Sequence, residues 1–127
     1  MEACIPEMKD KGWGRILNIS SISARNGGYV GPHSAASKAG LIGLTRFYAQ
    51  SAVKHGITVN AISPGAIDTD MLRDPPFGED VTPVGRFGKP EEVAHIAMFI
   101  MKYAGGWREY PLSGVCVMSS PSRRSRW

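Results

Sequence analysis

The side chains able to do chemistry fall into a few short stretches of the 127-residue chain. Ser20-Ser21 closes a short apolar run, His33-Ser34 and Lys38 share a segment of small residues, and Thr69 follows Ser63-Pro64-Gly65. Ser34 and Lys38 stand four residues apart, so on a helix a hydroxyl and an ammonium share one face. His33 is a proton carrier near neutral pH, and Tyr29 offers a phenol in a glycine-rich loop. Taken singly, each has a plain structural account. Lys38 alone is a solvated helix lysine, Ser21 a strand-end cap, Thr69 the N-cap of a turn of helix at Met71-Leu72, and Tyr29 a pocket wall or a surface aromatic. Cys4 and Cys116 are too far apart in sequence to suggest a disulfide scaffold or a metal cluster, so no metal is expected.

Such groups need elements to hold them. Residues 1–11 read as a helix end with Ile5 and Met8 toward a core, stopped by Gly12 and Gly14. Residues 15–20 form an apolar run of strand length, and 23–32 read as a glycine-rich loop. The spacing of Leu41, Leu44, Tyr48 and Ala52 predicts a helix over 33–54, ended by His55-Gly56. Ala35, Ala36, Ala39, Gly40 and Gly43 make part of its surface small, for tight packing on a sheet or for a subunit contact. Residues 57–62 predict a second strand, 66–88 a long loop, and 115–118 a last strand. Another helix starts at Pro90, with Glu91 and Glu92 suited to its positive end and Val93, Ile96, Ala97 and Ile100 as its apolar face. Strands alternating with helices predict an α/β fold with a parallel sheet of about three strands and crossover helices. Parallel sheets bury both faces, so the first strand is expected to leave an open edge.

Composition narrows the class. Hydrophobic residues at 43% and charged residues at 20% fit a folded domain. No apolar run reaches the roughly 20 residues that cross a bilayer, and the N-terminus lacks a basic start followed by an apolar stretch, so a cytoplasmic protein is expected. The net charge of +4 is concentrated in Arg123, Arg124 and Arg126. The expected division is a domain over 1–120 and a basic, disordered tail over 121–127. With no recognition helix and no stacking motif, neither nucleic acid nor membrane is expected as a partner.

Several segments resemble the short-chain dehydrogenase/reductase (SDR) family, in the family's order and approximate spacing. Gly14-Arg15-Ile16-Leu17-Asn18-Ile19-Ser20-Ser21 is similar to the strand that delivers the catalytic serine. Ser34-Ala35-Ala36-Ser37-Lys38-Ala39-Gly40 is similar to the Tyr-x-x-x-Lys segment. Asn60-Ala61-Ile62-Ser63-Pro64-Gly65-Ala66-Ile67-Asp68-Thr69 resembles the Pro-Gly nicotinamide loop, and Pro83 to Ala94 resembles the segment after the substrate lid. The resemblance covers about residues 3–102. Beyond it, Ser113-Gly114-Val115 stands where the family has Thr-Gly-x.

The resemblance implies the C-terminal half of a Rossmann-like, doubly wound parallel sheet. It implies NAD or NADP as cofactor and interconversion of a secondary alcohol and a ketone. Ser21 falls on the substrate-orienting serine and Lys38 on the lysine that lowers the tyrosine pKa and holds the nicotinamide ribose. Pro64, Gly65, Ile67 and Thr69 fall on the cofactor loop. By the period-two rule, Ser20 then points away from the site. The helix over 33–54 falls where the family lines a subunit interface.

Two departures matter. Ser34 occupies the tyrosine position. A serine hydroxyl is far less acidic than a phenol and shorter by a ring, and neighbouring His33 points about 100° away on a helix. The family's opening strand, glycine-rich turn and helix have no counterpart before residue 14, and the glycines of 27–31 follow the serine strand. The expectation is therefore an incomplete SDR chain that is inactive alone, with a non-catalytic partner of a full-length SDR as the alternative.

Overall fold

The computed structural model describes residues 1–72 and 75–103 and the strands at 110–112 and 115–118. Its elements run α1 (Ile5–Asp10), β1 (Gly14–Ile19), α2 (Ser23–Asn26), α3 (Pro32–Ala52), β2 (Ile57–Pro64), α4 (Pro90–Tyr103), β3 (Tyr110–Leu112) and β4 (Val115–Met118). Gly12, at φ 64°, ends α1 in the left-handed region that glycine tolerates. Gly56 ends the 3-10 turn after α3 at φ 73° and lies so close to the Gly12 carbonyl that a Cβ there would collide with it. These two glycines bring both turns together at the amino ends of β1 and β2.

The strand order is β1-β2-β4-β3. β1 and β2 pair in parallel, Gly14 opposite Ile57 through Ile19 opposite Ile62. α3 packs on one face, where Ala49, Ala52, Ile57 and Val59 form a buried cluster joined by Met1, Met8, Ile16 and Tyr48. α4 packs on the other face, where Ile62 and Ile100 gather Leu17, Val93, Ile96 and Ala97. Alternation along β1 sends Ile16 to one layer and Leu17 to the other, so the sheet is wound with helices on both faces.

The α/β class stands, and its third strand differs in direction. β4 (Val115–Met118) pairs antiparallel with β2, and β3 (Tyr110–Leu112) pairs antiparallel with β4. β3 therefore runs in the sense of β2, as a strand after a crossover does. Only two residues separate β3 from β4; so short a link reverses the chain and permits only an antiparallel neighbour. Residues 113–114, the expected Thr-Gly-x site, and the expected tail at 121–127 lie outside the described residues.

The apolar face of α3 is shifted from the expected one. Thr45, Ala49 and Ala52 are buried, whereas Leu44 is exposed. The sheet needs a small contact line there, and Thr45 fits by a hydrogen-bond pair: Asn18 Nδ2 donates to its Oγ1 (2.8 Å), and that hydroxyl donates to Leu41 O (2.7 Å). The small residues of α3 do not serve tight packing on the sheet at Gly40 and Gly43. A Cβ at either would meet nothing within 4 Å. The expected loop over 23–32 contains the one-turn helix α2.

Candidate active site

Parallel pairing brings the carboxyl ends of β1 and β2 side by side, the edge at which open α/β sheets hold ligands. The ladder continues beyond β1: Ser20 N–H donates to Ile62 O (2.7 Å) and Ile22 N–H to Pro64 O (2.9 Å). The serines are thus laid against the Pro64-Gly65 break.

Ser20 and Ser21 diverge. Ser20 is buried, and its hydroxyl donates to Lys38 O on α3 (2.8 Å). Ser21 Oγ accepts the Ser23 N–H (3.2 Å) at the entry to α2. That bond occupies an acceptor lone pair and leaves the hydroxyl proton out of it. Ser21 therefore caps a chain end as a lone serine would, while keeping a proton to donate. Lys38 is half-buried, and its ammonium donates to Ile19 O, the last carbonyl of β1, at 3.0 Å. With Ser20 on its backbone, Lys38 is tied to the end of β1 at both its carbonyl and its ammonium.

Ser34 lies one turn before Lys38 on α3, half-buried, and its carbonyl accepts the Ser37 hydroxyl (2.9 Å). His33 is exposed and folds its ring back over Gly31, where an added Cβ would come within 3.1 Å of His33 Cε1.

The loop after β2 is held by a short parallel bridge between Ile67 and Gly88. Gly88 N–H donates to Ala66 O (2.9 Å), and Asp68 N–H donates to Gly88 O (2.8 Å). Gly88 so engages the residues flanking Ile67, and the amide of Ile67 itself faces the other way. A Cβ at Gly88 would lie 2.7 Å from Ile67 Cδ1, so a larger residue there requires the end of the Ile67 side chain to move. Thr69 is exposed; its carbonyl accepts Leu72 N–H (2.8 Å) to open the turn at Asp70–Leu72, and its hydroxyl makes a long contact to Ile67 O (3.4 Å).

Sequence reasoning did not single out Phe77 and Phe87. Tyr29 stacks on Phe77 with ring centroids 4.3 Å apart, and Phe77 meets Phe87 edge-on at 6.2 Å. The trio joins the loop after β1 to the segments after β2. Three aromatics inside proline- and glycine-rich stretches were the available signal. Arg86 then grips Glu92 with both guanidinium nitrogens (2.9 and 2.8 Å), and Glu92 Oε2 accepts Lys89 N–H (2.7 Å). The bonds from Arg86 and from the Lys89 amide hold the Glu92 carboxyl down to about 2.

Lys38 reaches the carboxyl end of β1, and Ile67 and Thr69 lie in the loop that follows β2. Ser63, just before Pro64, is fully buried with a hydroxyl that has no hydrogen-bond partner. The left-handed glycines Gly27, Gly28 and Gly31 lie between α2 and α3, and the described residues contain no strand–glycine turn–helix phosphate cradle. They contain no group of three or more metal-ligating side chains, and no helix long and apolar enough to cross a membrane.

Comparison with known proteins agrees with this fold. The chain is 45% identical over 106 residues to an acetoacetyl-CoA reductase of Rhizobium meliloti, a match covering 79% of this chain and 44% of that protein. It is 40% identical over 126 residues to the 3-oxoacyl-(acyl-carrier-protein) reductase FabG of Pseudomonas aeruginosa, covering 93% of this chain and 51% of that one. The chain thus spans about half the length of the curated relatives it matches. The crystal structure of a 3-oxoacyl-(acyl-carrier-protein) reductase from Brucella melitensis superposes with a TM-score of 0.76 at 32% identity, over 80% of this chain and 40% of that one. A family model described as enoyl-(acyl carrier protein) reductase matches residues 1–107, and with the fold and these relatives it places the chain in the short-chain dehydrogenase/reductase family.

Proposed function

We propose that this chain carries the serine, lysine and Pro-Gly parts of an NAD(P)-dependent reductase site for 3-oxoacyl thioesters, and that the 127 residues alone do not turn it over. The observation that supports this most is the Lys38 ammonium on Ile19 O at 3.0 Å, one residue from Ser20-Ser21. It sets a cation and a proton-bearing hydroxyl on Ser21 at the carboxyl edge, beside Pro64-Gly65. A reduced nicotinamide bound there supplies a hydride to a ketone carbon. Of the chain's own residues, Ser21 donates a hydrogen bond to the substrate oxygen, Lys38 holds the ribose hydroxyls, and Ile67 and Thr69 face the carboxamide. The substrate class follows the acetoacetyl-CoA and 3-oxoacyl-(acyl-carrier-protein) reductases that the chain resembles.

Proton delivery is the weak step. Ser34 in the acid position has a hydroxyl far less acidic than a phenol, so a neighbouring cation does not make it a comparable proton donor, and it is shorter by a ring. His33, its neighbour on α3, points about 100° away on the helix. The test is absorbance at 340 nm with NADH or NADPH, acetoacetyl-CoA and the purified chain. We expect no oxidation above the blank, for the chain itself and for Ser34→Tyr. Steady coenzyme oxidation matched by 3-hydroxy product would overturn the proposal.

A second reading is favoured by the outer side of α3. Gly40 and Gly43 border open space and Leu44 and Phe47 are exposed, so this helix suits contact with a full-length SDR as a non-catalytic partner.

A further inference from the structure

The turns at the amino ends of β1 and β2 meet at the far end of the strands from Ser21 and Pro64. They carry groups that the candidate active site does not use. Gly56 lies against Gly12 O and near Trp13, whose Cα would be 3.8 Å from a Cβ placed at Gly56. The register then sets Arg15 opposite Thr58. Arg15 stands two residues before Leu17, which packs in the α4 layer. Arg15 therefore turns its side chain to that face, and Thr58 opposite it does the same.

The Arg15 guanidinium is held before any ligand arrives. Its Nη1 donates to Gly14 O (2.9 Å) and to Gly56 O (3.2 Å). Its Cζ lies 5.2 Å from the centroid of the Trp13 ring, within cation–π range. Both carbonyls take the same nitrogen. Among the described residues no group accepts from Nε or Nη2, and no carboxylate pairs with this guanidinium. Nε and Nη2 make up the side of the fork that grips both oxygens of a carboxylate. Thr58 adds a buried hydroxyl with no hydrogen-bond partner on the same face. Trp13 is 60% exposed and offers an apolar plate beside the fork. Lys54 is exposed two residues before Gly56. Lys9 and Lys11 precede Trp13, Lys11 being held by Glu7 at 2.6 Å.

We propose that Trp13 and Arg15, with Lys54 at the margin, form a docking site for an acidic segment of a partner protein. One Asp or Glu carboxylate of that segment pairs with Nε and Nη2 of Arg15, and a neighbouring apolar side chain lies on Trp13. An arginine already fixed along one edge presents the other in set geometry, so little further ordering is needed when it binds. One guanidinium beside one indole matches two adjacent side chains of a peptide. A nucleic-acid groove needs cations that follow successive phosphates, and here Glu7 and Asp10 interrupt the lysines. A membrane surface calls for a larger apolar face under an unbroken basic cluster. The site rests on neither the coenzyme nor the reaction proposed above.

The test uses the whole 127-residue chain without coenzyme. It follows the Arg15 Nε–H and Trp13 indole N–H signals in nitrogen-correlated NMR spectra, assigned with Arg15→Lys and Trp13→Phe. The probe is a short capped peptide of alternating glutamate and leucine, and its control replaces glutamate by glutamine. We expect both signals to shift saturably at low salt with a Kd of about 0.1–1 mM, and the glutamine peptide to bind at least about tenfold more weakly. Arg15→Lys should weaken the glutamate peptide about fivefold or more, since an ammonium gives a point charge and no fork. Lys54→Gln should weaken it less and lower its salt dependence. Unchanged β1 and β2 amide signals show that a variant keeps the fold, and the comparison of the two peptides on the parent chain stands whether or not Arg15→Lys folds. Equal binding of both peptides, no saturable shift below about 10 mM, or unweakened binding by a folded Arg15→Lys would each overturn the proposal. A short DNA duplex or phosphatidylglycerol vesicles that moved these two signals at lower concentration than the peptide would also overturn it.

Discussion

At the residue scale the chain separates what a side chain can do from what its neighbours let it do. Ser20 and Ser21 are chemically identical, yet Ser20 is consumed by the α3 backbone while Ser21 sits at the entry to α2. The split was legible, because successive strand residues alternate sides. The partners were not, because they come from residues distant in sequence. Glu92 makes the same point through charge. Its carboxyl is held at about 2 against an ordinary 4.5, first by Arg86 and then by the Lys89 amide. A depressed carboxyl contributes stability that is fully present above its unfolded pKa and is lost as pH falls toward the folded one. We therefore expect the chain to lose stability between about pH 4.5 and 2, and Glu92→Gln to flatten that dependence in acid titrations followed by circular dichroism. An unchanged acid profile in the variant would show that the Arg86 pair does not hold the start of α4.

Among the elements, helix and strand positions were largely readable. β1, α3, β2 and α4 form within a few residues of their expected places, since apolar periodicity and the Gly and Pro stops are local signals. Which side of α3 faces the sheet was not readable. Leu44 satisfies the helical spacing as well as Thr45 does, but the parallel strands accept the narrower line of Thr45, Ala49 and Ala52. Gly40 and Gly43 are left bordering open space. In a helix interior with room for a methyl, Gly→Ala stabilises by about 0.5–1 kcal/mol. Gly40→Ala and Gly43→Ala should each raise the thermal midpoint accordingly. If α3 is a partner contact, the same substitutions should weaken co-purification with a full-length SDR while stabilising the free chain. Equal capture of parent and variants would argue against close helix contact at these two positions.

At the scale of the whole molecule, the described residues form a two-sided sheet whose covering helices expose large apolar side chains. Phe47 stands out from α3, and Met98, Phe99 and Tyr103 from α4, each more than half exposed. A helix apolar on nearly every side is one meant to be covered, and contiguous exposed apolar patches mark contact surfaces. The native chain should therefore bind the dye ANS measurably without denaturant, and the signal should fall when a partner docks on these helices. Native fluorescence no higher than that of a fully covered domain would remove this expectation.

Local sequence determined the α/β class and the SDR membership, and it offered Ser21, Lys38, Pro64, Gly65, Ile67 and Thr69 as candidate site residues with Ser34 at the expected phenol position. All of these are written in side-chain type and short-range spacing. Tertiary structure alone decided that Lys38 reaches Ile19 O, that Tyr29, Phe77 and Phe87 join across two loops, that Gly40 and Gly43 face outward, and that β4 returns antiparallel. Each depends on which segments distant in sequence come together, and spacing along the chain carries no measure of that.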